Sequence, residues 1–306
     1  MRQQLASLTA GSGGVFLRAD ALVTDHTDDD IRAWARSGEV RRLRRGVFAV
    51  GAEPGFAADR MLEQAAGLAR LHGDDIALSH HTALVLQGVA VHEVPFSEVW
   101  SVRVGGAVQS GPGLRVVRPR TAPTLVRVGG IQAVTSARAV LQVAGSFGAA
   151  AGIVSADSAV DKDLVTADDL AQELGRLGRR PGAAAARATV DRCRRGAQSP
   201  GETLLRLFAE DLGHEVELQF PVAEPSRQPF AFTDLRIVGT RSLWEFDGLR
   251  KYAGAAGAAA LAAEKVREDR IRRLGWGLER VVWVDFRRPE QLADRITQAA
   301  RRHRIR

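Results

Sequence analysis

Two carboxylates in the C-terminal third of the sequence stand where a charge is costly. Asp234 falls within the apolar run 232–238 and Glu245 within the run 242–246, and both runs have the composition of β-strands. A carboxylate in such surroundings needs a pairing charge or a bound cation. If the two strands are neighbours, both side chains reach one hard metal ion. The expected ion is Mg²⁺ or Mn²⁺, which activates water and stabilises charge in phosphate hydrolysis.

Further oxygen ligands are available for the same ion. The run Ser199-Pro200-Gly201-Glu202 predicts a helix start with Ser199 as the N-cap and proline in the first position. Glu202 then stands in the first turn, where its carboxylate can reach back. We therefore expect Glu202 and the backbone carbonyl of Phe246 to be additional candidates.

The elements that must position these residues follow one another between residues 196 and 306. Apolar periodicity and glycine stops predict the order helix, strand, strand, strand, helix, strand, helix. A long helix is expected over 255–274, and a last helix starts near Pro289. The predicted strands cover residues 216–220, 232–238, 242–246 and 280–286.

The first 55 residues predict a second kind of site. Two short helices, the second capped by Thr27 and stopped by Gly38, precede a basic hairpin over 40–50, which is the outline of a winged helix. Acidic residues 28–30 would repel phosphate at the start of the second helix, so a structural or protein-binding wing stays open as an alternative. The candidate DNA contacts are Arg32 and Arg36 in the helix and Arg41, Arg42, Arg44 and Arg45 in the hairpin.

Residues 56–195 predict a middle domain of mixed α+β structure. His80 and His81 are adjacent in a predicted helix, and adjacent helical residues point about 100° apart, so we expect one packed and one exposed histidine rather than a metal site. Asp157 and Asp161 are one helical turn apart. We interpret them as solvated charges near a helix end.

Composition limits the function classes. The chain has 306 residues, 45% of them apolar and 26% charged, which predicts a folded protein of several domains. Neither a membrane-spanning run nor a signal-peptide pattern is evident, so we expect a cytoplasmic protein without a membrane partner. Cys193 is the only cysteine, which excludes an internal disulfide. The net charge of +7 comes mostly from arginine, which favours a nucleic-acid partner, although GC-rich coding bias gives the same composition.

The order of motifs resembles the PD-(D/E)xK restriction-endonuclease-like superfamily. The likeness is strongest to its very-short-patch repair endonuclease-like members, which often follow an AbiEi-type antitoxin-like winged helix. The likeness at the N-terminus is looser and rests on Gly46-Val47-Phe48 and Ser79-His80. The C-terminal motifs are Ser199-Pro200-Gly201-Glu202, Thr233-Asp234, Trp244-Glu245-Phe246-Asp247-Gly248, Lys251-Tyr252, residues 264–269 and Leu274-Gly275-Trp276.

This resemblance implies that Asp234 and Glu245 hold the metal and that Glu202 orients a ligand or a water. The superfamily's lysine, two residues after the second acid, is replaced by Asp247, which becomes a candidate ligand. Lys251, or Lys265 with Arg267 on the following helix, is then the substitute cation. Alternatively, charges spaced three and four residues apart along residues 264–272 form a ladder of ion pairs.

The sequence thus predicts a mixed, multi-domain α/β protein. Its expected parts are a winged-helix DNA-binding domain (1–55), an antitoxin-like α+β middle domain (56–195) and a restriction-endonuclease-like three-layer α/β domain (196–306). The expected function is Mg²⁺-dependent endonucleolytic cleavage of DNA. A homodimer is compatible with this function. The alternative is a DNA-binding regulator similar to type IV antitoxins, with a toxin partner and an inactive nuclease fold. A protein-interaction scaffold is a third reading.

Overall fold

The protein is a mixed α/β structure that divides into two compact units. The computed structural model describes residue 9 and residues 13–178, 180–248 and 255–305, with the side chains of 255–260 left out. The units are Met1–Cys193 and Arg194–Arg306, and each is treated by itself. Within the described ranges, no helix has the length and apolar character needed to cross a membrane.

The first unit begins with a small antiparallel sheet of order β1-β3-β2. Thr27 caps the second helix, and its Oγ1 accepts from the Asp30 N–H. The first of the two predicted helices begins at Arg18, because the preceding residues Val15 to Leu17 pair with β3 as a strand. The elements are β1 (Val15–Leu17), α1 (Arg18–Val23), α2 (Asp28–Arg36), β2 (Val40–Arg44) and β3 (Val47–Val50).

The rest of the first unit surrounds a five-stranded sheet of order β6-β5-β4-β8-β7. Its core includes Leu78, Leu84, Val102 and Leu141, all without exposed surface. Along the chain, helices stand both before and after the strands of this sheet. The elements are α3 (Ala57–His72), β4 (Ile76–Leu78), α4 (His80–Leu86), β5 (Val99–Arg103), β6 (Leu114–Val117), β7 (Leu125–Val128), β8 (Ile131–Val134), α5 (Ser136–Phe147), α6 (Ala149–Asp161), α7 (Ala167–Leu177) and α8 (Ala183–Arg192).

Two expectations for this unit are wrong. His80 and His81 are both buried, because the His80 ring packs on Trp100 while His81 packs against Trp100 and Phe147. Asp157 is fully buried rather than solvated. Asp157 lies in α6, which packs against α5 and α8.

The second unit contains a four-stranded sheet of order β12-β11-β10-β9. β9, β10 and β11 are antiparallel, and β12 returns parallel to β11 after a crossover helix. The strand expected over 280–286 lies instead at Gly277–Val281 and is β12. A short 3-10 turn follows at Asp285–Arg287. The elements are α9 (Pro200–Asp211), β9 (Val216–Val222), β10 (Ala231–Ile237), β11 (Ser242–Phe246), α10 (Ala255–Arg273), β12 and α11 (Pro289–Arg302).

The two faces of this sheet bury different residues. Leu235 and Trp244 pack with apolar residues of α9 and α11. Leu243 packs with Ile271 of α10 in a separate cluster. Because side chains alternate along a strand, Asp234 and Glu245 belong to the face that α10 covers.

Candidate active site

Asp234 and Glu245 stand opposite each other on adjacent strands. The antiparallel register pairs Leu235 with Trp244, and its continuation by one residue sets Asp234 across from Glu245. The Phe246 N–H donates to Asp234 Oδ2 over 2.7 Å. Like charges directly across an antiparallel pair are destabilising, so this arrangement has an electrostatic cost.

That cost appears in the ionisation of Asp234. Burial and then the negative charges of Glu202 and Glu245 together raise the pKa of Asp234 to about 7, against the opposing effects of the Phe246 N–H and Arg267. A carboxyl group with this pKa holds its proton through mildly acidic conditions. A cation that replaces the proton relieves the same repulsion.

Glu202 is held at the start of α9 by its own cap. Ser199 Oγ accepts from the Glu202 N–H over 3.3 Å, and Pro200 follows the cap. The Glu202 carboxylate is nearly buried and reaches back to accept from the Gln198 N–H over 2.9 Å. Gln219 Nε2 donates to the same oxygen over 3.3 Å. The predicted helix start therefore directs Glu202 towards the strands.

Gly201 allows this helix start to approach β11. A Cβ built on Gly201 would lie 2.2 Å from the Phe246 ring, which leaves no room for a side chain. The Phe246 ring also packs edge-on against Trp283 at 4.9 Å between centroids. The glycine of the Ser-Pro-Gly-Glu run is thus required by packing.

Gln219 is a site residue that the sequence did not reveal. Its φ of +49° is left-handed, which is rare for a residue with a Cβ. The β9–β10 register pairs Phe220 with Thr233 and Leu218 with Leu235, and the intervening Gln219 faces the position of Asp234 without a regular pair. A glutamine in an alternating strand reads as a solvent-facing residue, so no sequence signal marks this irregularity.

A cation reaches the site from α10. Arg267 Nη1 and Nη2 donate to the two oxygens of Glu245 over 2.8 and 2.9 Å. The same guanidinium donates to Glu264 over 2.6 and 2.9 Å. These hydrogen bonds, with Glu264 and then Glu245, raise the pKa of Arg267 above its ordinary value. Lys265, the other cation proposed on this helix, is exposed to solvent.

Arg280 extends the network across a third strand. The parallel register pairs it with Glu245, and its Nε lies 3.7 Å from Glu245 Oε2. Arg280 also donates to Glu264 and lies 3.7 Å from Glu268. Along α10, the predicted ladder of ion pairs is present as Arg267 with Glu264 and Arg272 with Glu268.

These side chains line one cleft of about 510 Å³. Asp247, the candidate ligand expected two residues after Glu245, lines it too, and its N–H donates to the Val281 carbonyl over 2.8 Å. Lys251 lies outside the described residues. The cleft therefore brings together the four acids expected from sequence, Glu202, Asp234, Glu245 and Asp247, and Arg267 from the expected cations. It adds Gln198, Phe232, Glu264 and Arg280.

A metal ion in this cleft would be held by few protein carboxylates. Within the described ranges, no group of three or more histidine, cysteine, aspartate or glutamate side chains is arranged to hold a metal. Mg²⁺ commonly keeps several waters and takes only one or two protein carboxylates. Asp234 and Glu245 are two carboxylates that line the same cleft, and they fit that requirement.

The arginines expected to contact DNA differ in their surroundings. Arg41 donates to the Gly51 carbonyl over 2.7 Å and to Glu63 over 2.5 Å, which ties β2 to α3. Arg44 is partly buried and donates to the Pro112 carbonyl over 3.1 Å. Both side chains therefore have structural partners within the first unit.

The remaining four candidates point outward. Arg36, Arg42 and Arg45 are exposed. Arg32 is exposed too, and it forms a surface ion pair with Asp29 at 2.5 Å. Such a pair contributes little stability, so a phosphate could replace the aspartate at small cost.

The comparisons with known proteins give relatives without an assigned activity. No family model matches the chain. The chain is 27% identical over 292 residues to the uncharacterized protein MT2308 of Mycobacterium tuberculosis strain CDC 1551 / Oshkosh, which covers 91% of this chain and 99% of the relative. The same figures apply to the uncharacterized protein Rv2248 of strain H37Rv. The crystal structure of the RV2827C protein from Mycobacterium tuberculosis is similar with a TM-score of 0.38 and 20% identity, over 61% of this chain and 76% of that chain.

Proposed function

We propose that the second unit is a Mg²⁺- or Mn²⁺-dependent endonuclease that hydrolyses phosphodiester bonds in DNA. The observation that carries the proposal is the convergence of Glu202, Asp234 and Glu245 on one cleft, where burial and then repulsion by the other two acids raise the Asp234 pKa to about 7. Such a perturbation by burial and neighbouring charges is typical of functional sites.

We also propose that the chain is built from three domains. The second unit, from about residue 196, is a restriction-endonuclease-like domain, and the order α9, β9, β10, β11, α10, β12, α11 supports it. Residues 1–55 form a winged helix, supported by two short helices and the sheet β1-β3-β2. Residues 56–195 form the antitoxin-like middle domain.

Each side chain in the cleft has a distinct role in this proposal. Asp234 and Glu245 would hold the ion, which supplies a water of lowered pKa and compensates charge on the phosphate. Glu202 orients a ligand or water through its position at the helix start. Arg267 takes the place of the missing lysine, because it lies against Glu245 and its charge can stabilise a phosphate.

The test compares cleavage of supercoiled, linear and single-stranded DNA with Mg²⁺ or Mn²⁺. Cleavage should need the metal and should be lost in Asp234→Asn and in Glu245→Gln. Glu217→Gln is the matched control, because Glu217 is an exposed carboxylate on β9 whose surface partner is Arg236. Metal-independent cleavage, or equal activity in the site variants and the control, would contradict the proposal.

A second function is favoured by one specific observation. Both oxygens of Glu245 accept hydrogen bonds from Arg267, and Asp247 occupies the lysine position. When Arg267 occupies both oxygens of Glu245, the arrangement favours a DNA-binding regulator similar to type IV antitoxins, with an inert nuclease fold. It predicts no cleavage with any metal, together with salt-sensitive DNA binding that Asp234→Asn and Glu245→Gln leave unchanged.

A further inference from the structure

The first unit contains a cavity of about 220 Å³ that is rich in arginine. Its walls come from the segment after β6, from α5, from the segment after α7 and from the start of α4. Among the residues described around it, none of those lining it is a carboxylate. The charged and titratable side chains that line it are Arg118, Arg120, Arg138, Arg180 and His80.

Arg138 forms the rigid base of the cavity. Its side chain is almost fully buried, and Nη1 donates to Glu173 over 2.6 Å. Nη2 donates to both the carbonyl and the hydroxyl oxygen of Thr121 over 2.8 Å. These contacts fix the chain just after Arg120, which orders that part of the rim.

Arg180 is held over α5 by a close contact between two glycines. A Cβ on Gly182 would lie 2.3 Å from the Gly145 carbonyl, and Gly182 has a φ of +79°. The turn that carries Arg180 can therefore lie directly on the helix. This contact sets a half-buried guanidinium at the cavity mouth.

The charges around this cavity are not balanced. In the part of the chain that the structure describes, neither the Arg120 nor the Arg180 side chain has a hydrogen-bonded or ion-paired protein partner. Burial and then repulsion from Arg138 and Arg120 lower the pKa of Arg180, in spite of the attraction of Glu173. An anion in the cavity would compensate this excess positive charge.

His80 and Gln142 complete the wall as polar groups. The His80 N–H donates to Gln142 Oε1 over 3.1 Å, and the φ of His80 is +51°, a costly conformation for histidine. Its Nδ1 is paired with the Ser79 hydroxyl at 2.9 Å. Burial lowers the pKa of His80 to about 3, so the ring is neutral at physiological pH. When Ser79 donates to Nδ1, Nε2 carries the proton and is a hydrogen-bond donor.

We infer that this cavity is a binding site for a phosphate group, with Arg120 and Arg180 as its principal ligands and Arg118 and His80 as further donors. Planar guanidinium groups match phosphate oxygens, and several of them around one small space favour a dianion over a monovalent anion. The site belongs to the first unit and does not depend on the nuclease activity proposed for the second.

The test measures binding of two probes to the full-length protein by calorimetry. Inorganic pyrophosphate represents a free phosphorylated molecule, and a 20-base-pair DNA duplex represents a backbone phosphate. Arg120→Gln and Arg180→Gln should each weaken binding of at least one probe by about tenfold or more, because each removes a charge-assisted contact. Arg187→Gln is the control, since it removes the same charge from an exposed position on α8 that does not line the cavity.

The two probes distinguish the source of the phosphate. A selective loss of pyrophosphate binding assigns the cavity to a free phosphorylated ligand, and a selective loss of duplex binding assigns it to nucleic acid. Arg180→Lys should retain part of the affinity, and thermal unfolding should show that each variant is folded. Equal weakening by all three glutamine variants, or no binding of either probe, would overturn the inference.

Discussion

Arg267 donates one hydrogen bond to each oxygen of the Glu245 carboxylate, over 2.8 and 2.9 Å. The two residues come from different elements, since Glu245 is on β11 and Arg267 is on α10. A positive charge thus reaches Glu245 from the helix rather than from the end of β11, where Asp247 follows the strand. The planar fork also fixes the orientation of the carboxylate, which a lysine could not do.

Under the proposed function, Arg267→Ala should reduce the rate of metal-dependent DNA cleavage by about 10²-fold, the effect of removing one charge-stabilising donor. Arg267→Lys should keep part of the activity, because it retains the charge and loses the fork. The measurement is single-turnover cleavage of a labelled duplex. Arg273→Gln on the same helix is the control, because its side chain is exposed and bonds to the Asp269 carbonyl. Full activity in Arg267→Ala would exclude the assigned role.

The pKa of Asp234 predicts a pH dependence of stability in the metal-free protein. The pKa is about 7 in the native state against 3.8 as the ordinary value, so between these values the native state holds a proton that the unfolded chain has released. The free energy of unfolding therefore falls as pH rises through this window, by roughly 1.4 kcal/mol per pH unit.

Urea unfolding with chelator at pH 4 to 8 measures this effect. The informative quantity is the wild-type stability minus that of Asp234→Asn, because titration of all other groups largely cancels in the difference. The wild type should lose stability relative to the variant as pH increases. A difference that is flat, or that grows with pH, would show that the native structure does not raise the pKa of Asp234.

The sequence predicted the backbone framework of the site well because local signals determine it. The Ser199-Pro200-Gly201-Glu202 run forms the predicted helix start, and the strand predicted over 242–246 has those bounds. The two acids fall on adjacent strands, as short connections and alternating patterns favour. The expectation that they hold a metal stays a prediction.

Other features could not be predicted because they depend on tertiary contacts. Nothing in the neighbourhood of Gln219 signals its left-handed backbone, and nothing near Arg41 signals its ion pair with Glu63 across 22 residues. Likewise, helical periodicity cannot reveal that His81 and Asp157 are covered on every side. Such contacts arise only when distant segments pack together.

Phe232 predicts a contribution to substrate binding. Its ring is 58% exposed although it lines the same cleft as Asp234. Exposed aromatic rings in clefts that bind single strands stack on nucleobases, and each stack contributes about 1–3 kcal/mol. Phe232→Ala should therefore weaken binding of single-stranded DNA by about tenfold, measured by fluorescence anisotropy. Phe56→Ala, at an exposed aromatic residue of the first unit, should leave the affinity unchanged. Equal effects of both substitutions would point to nonspecific loss of apolar surface.

The close contact between Gly201 and Phe246 predicts that packing at the start of α9 sets the position of Glu202. In Gly201→Ala the new methyl group would meet the Phe246 ring, 2.2 Å away, so the ring or the start of α9 must move. Overpacking of this kind costs about 1–3 kcal/mol of unfolding free energy. The movement should also displace Glu202 and lower any cleavage activity. Gly175→Ala is the opposite case, because its Cβ would meet nothing within 4 Å in α7, and it should stabilise by about 1 kcal/mol.

Urea unfolding combined with hydrogen exchange at α9 and β11 separates the two effects. Gly201→Ala should speed exchange in these two elements more than elsewhere, because the contact between them is the one disturbed. Gly175→Ala should leave exchange there unchanged. If Gly201→Ala were as stable as the wild type and exchanged at the same rate, Phe246 would have room to yield, and the glycine would not be what brings Glu202 to the strands.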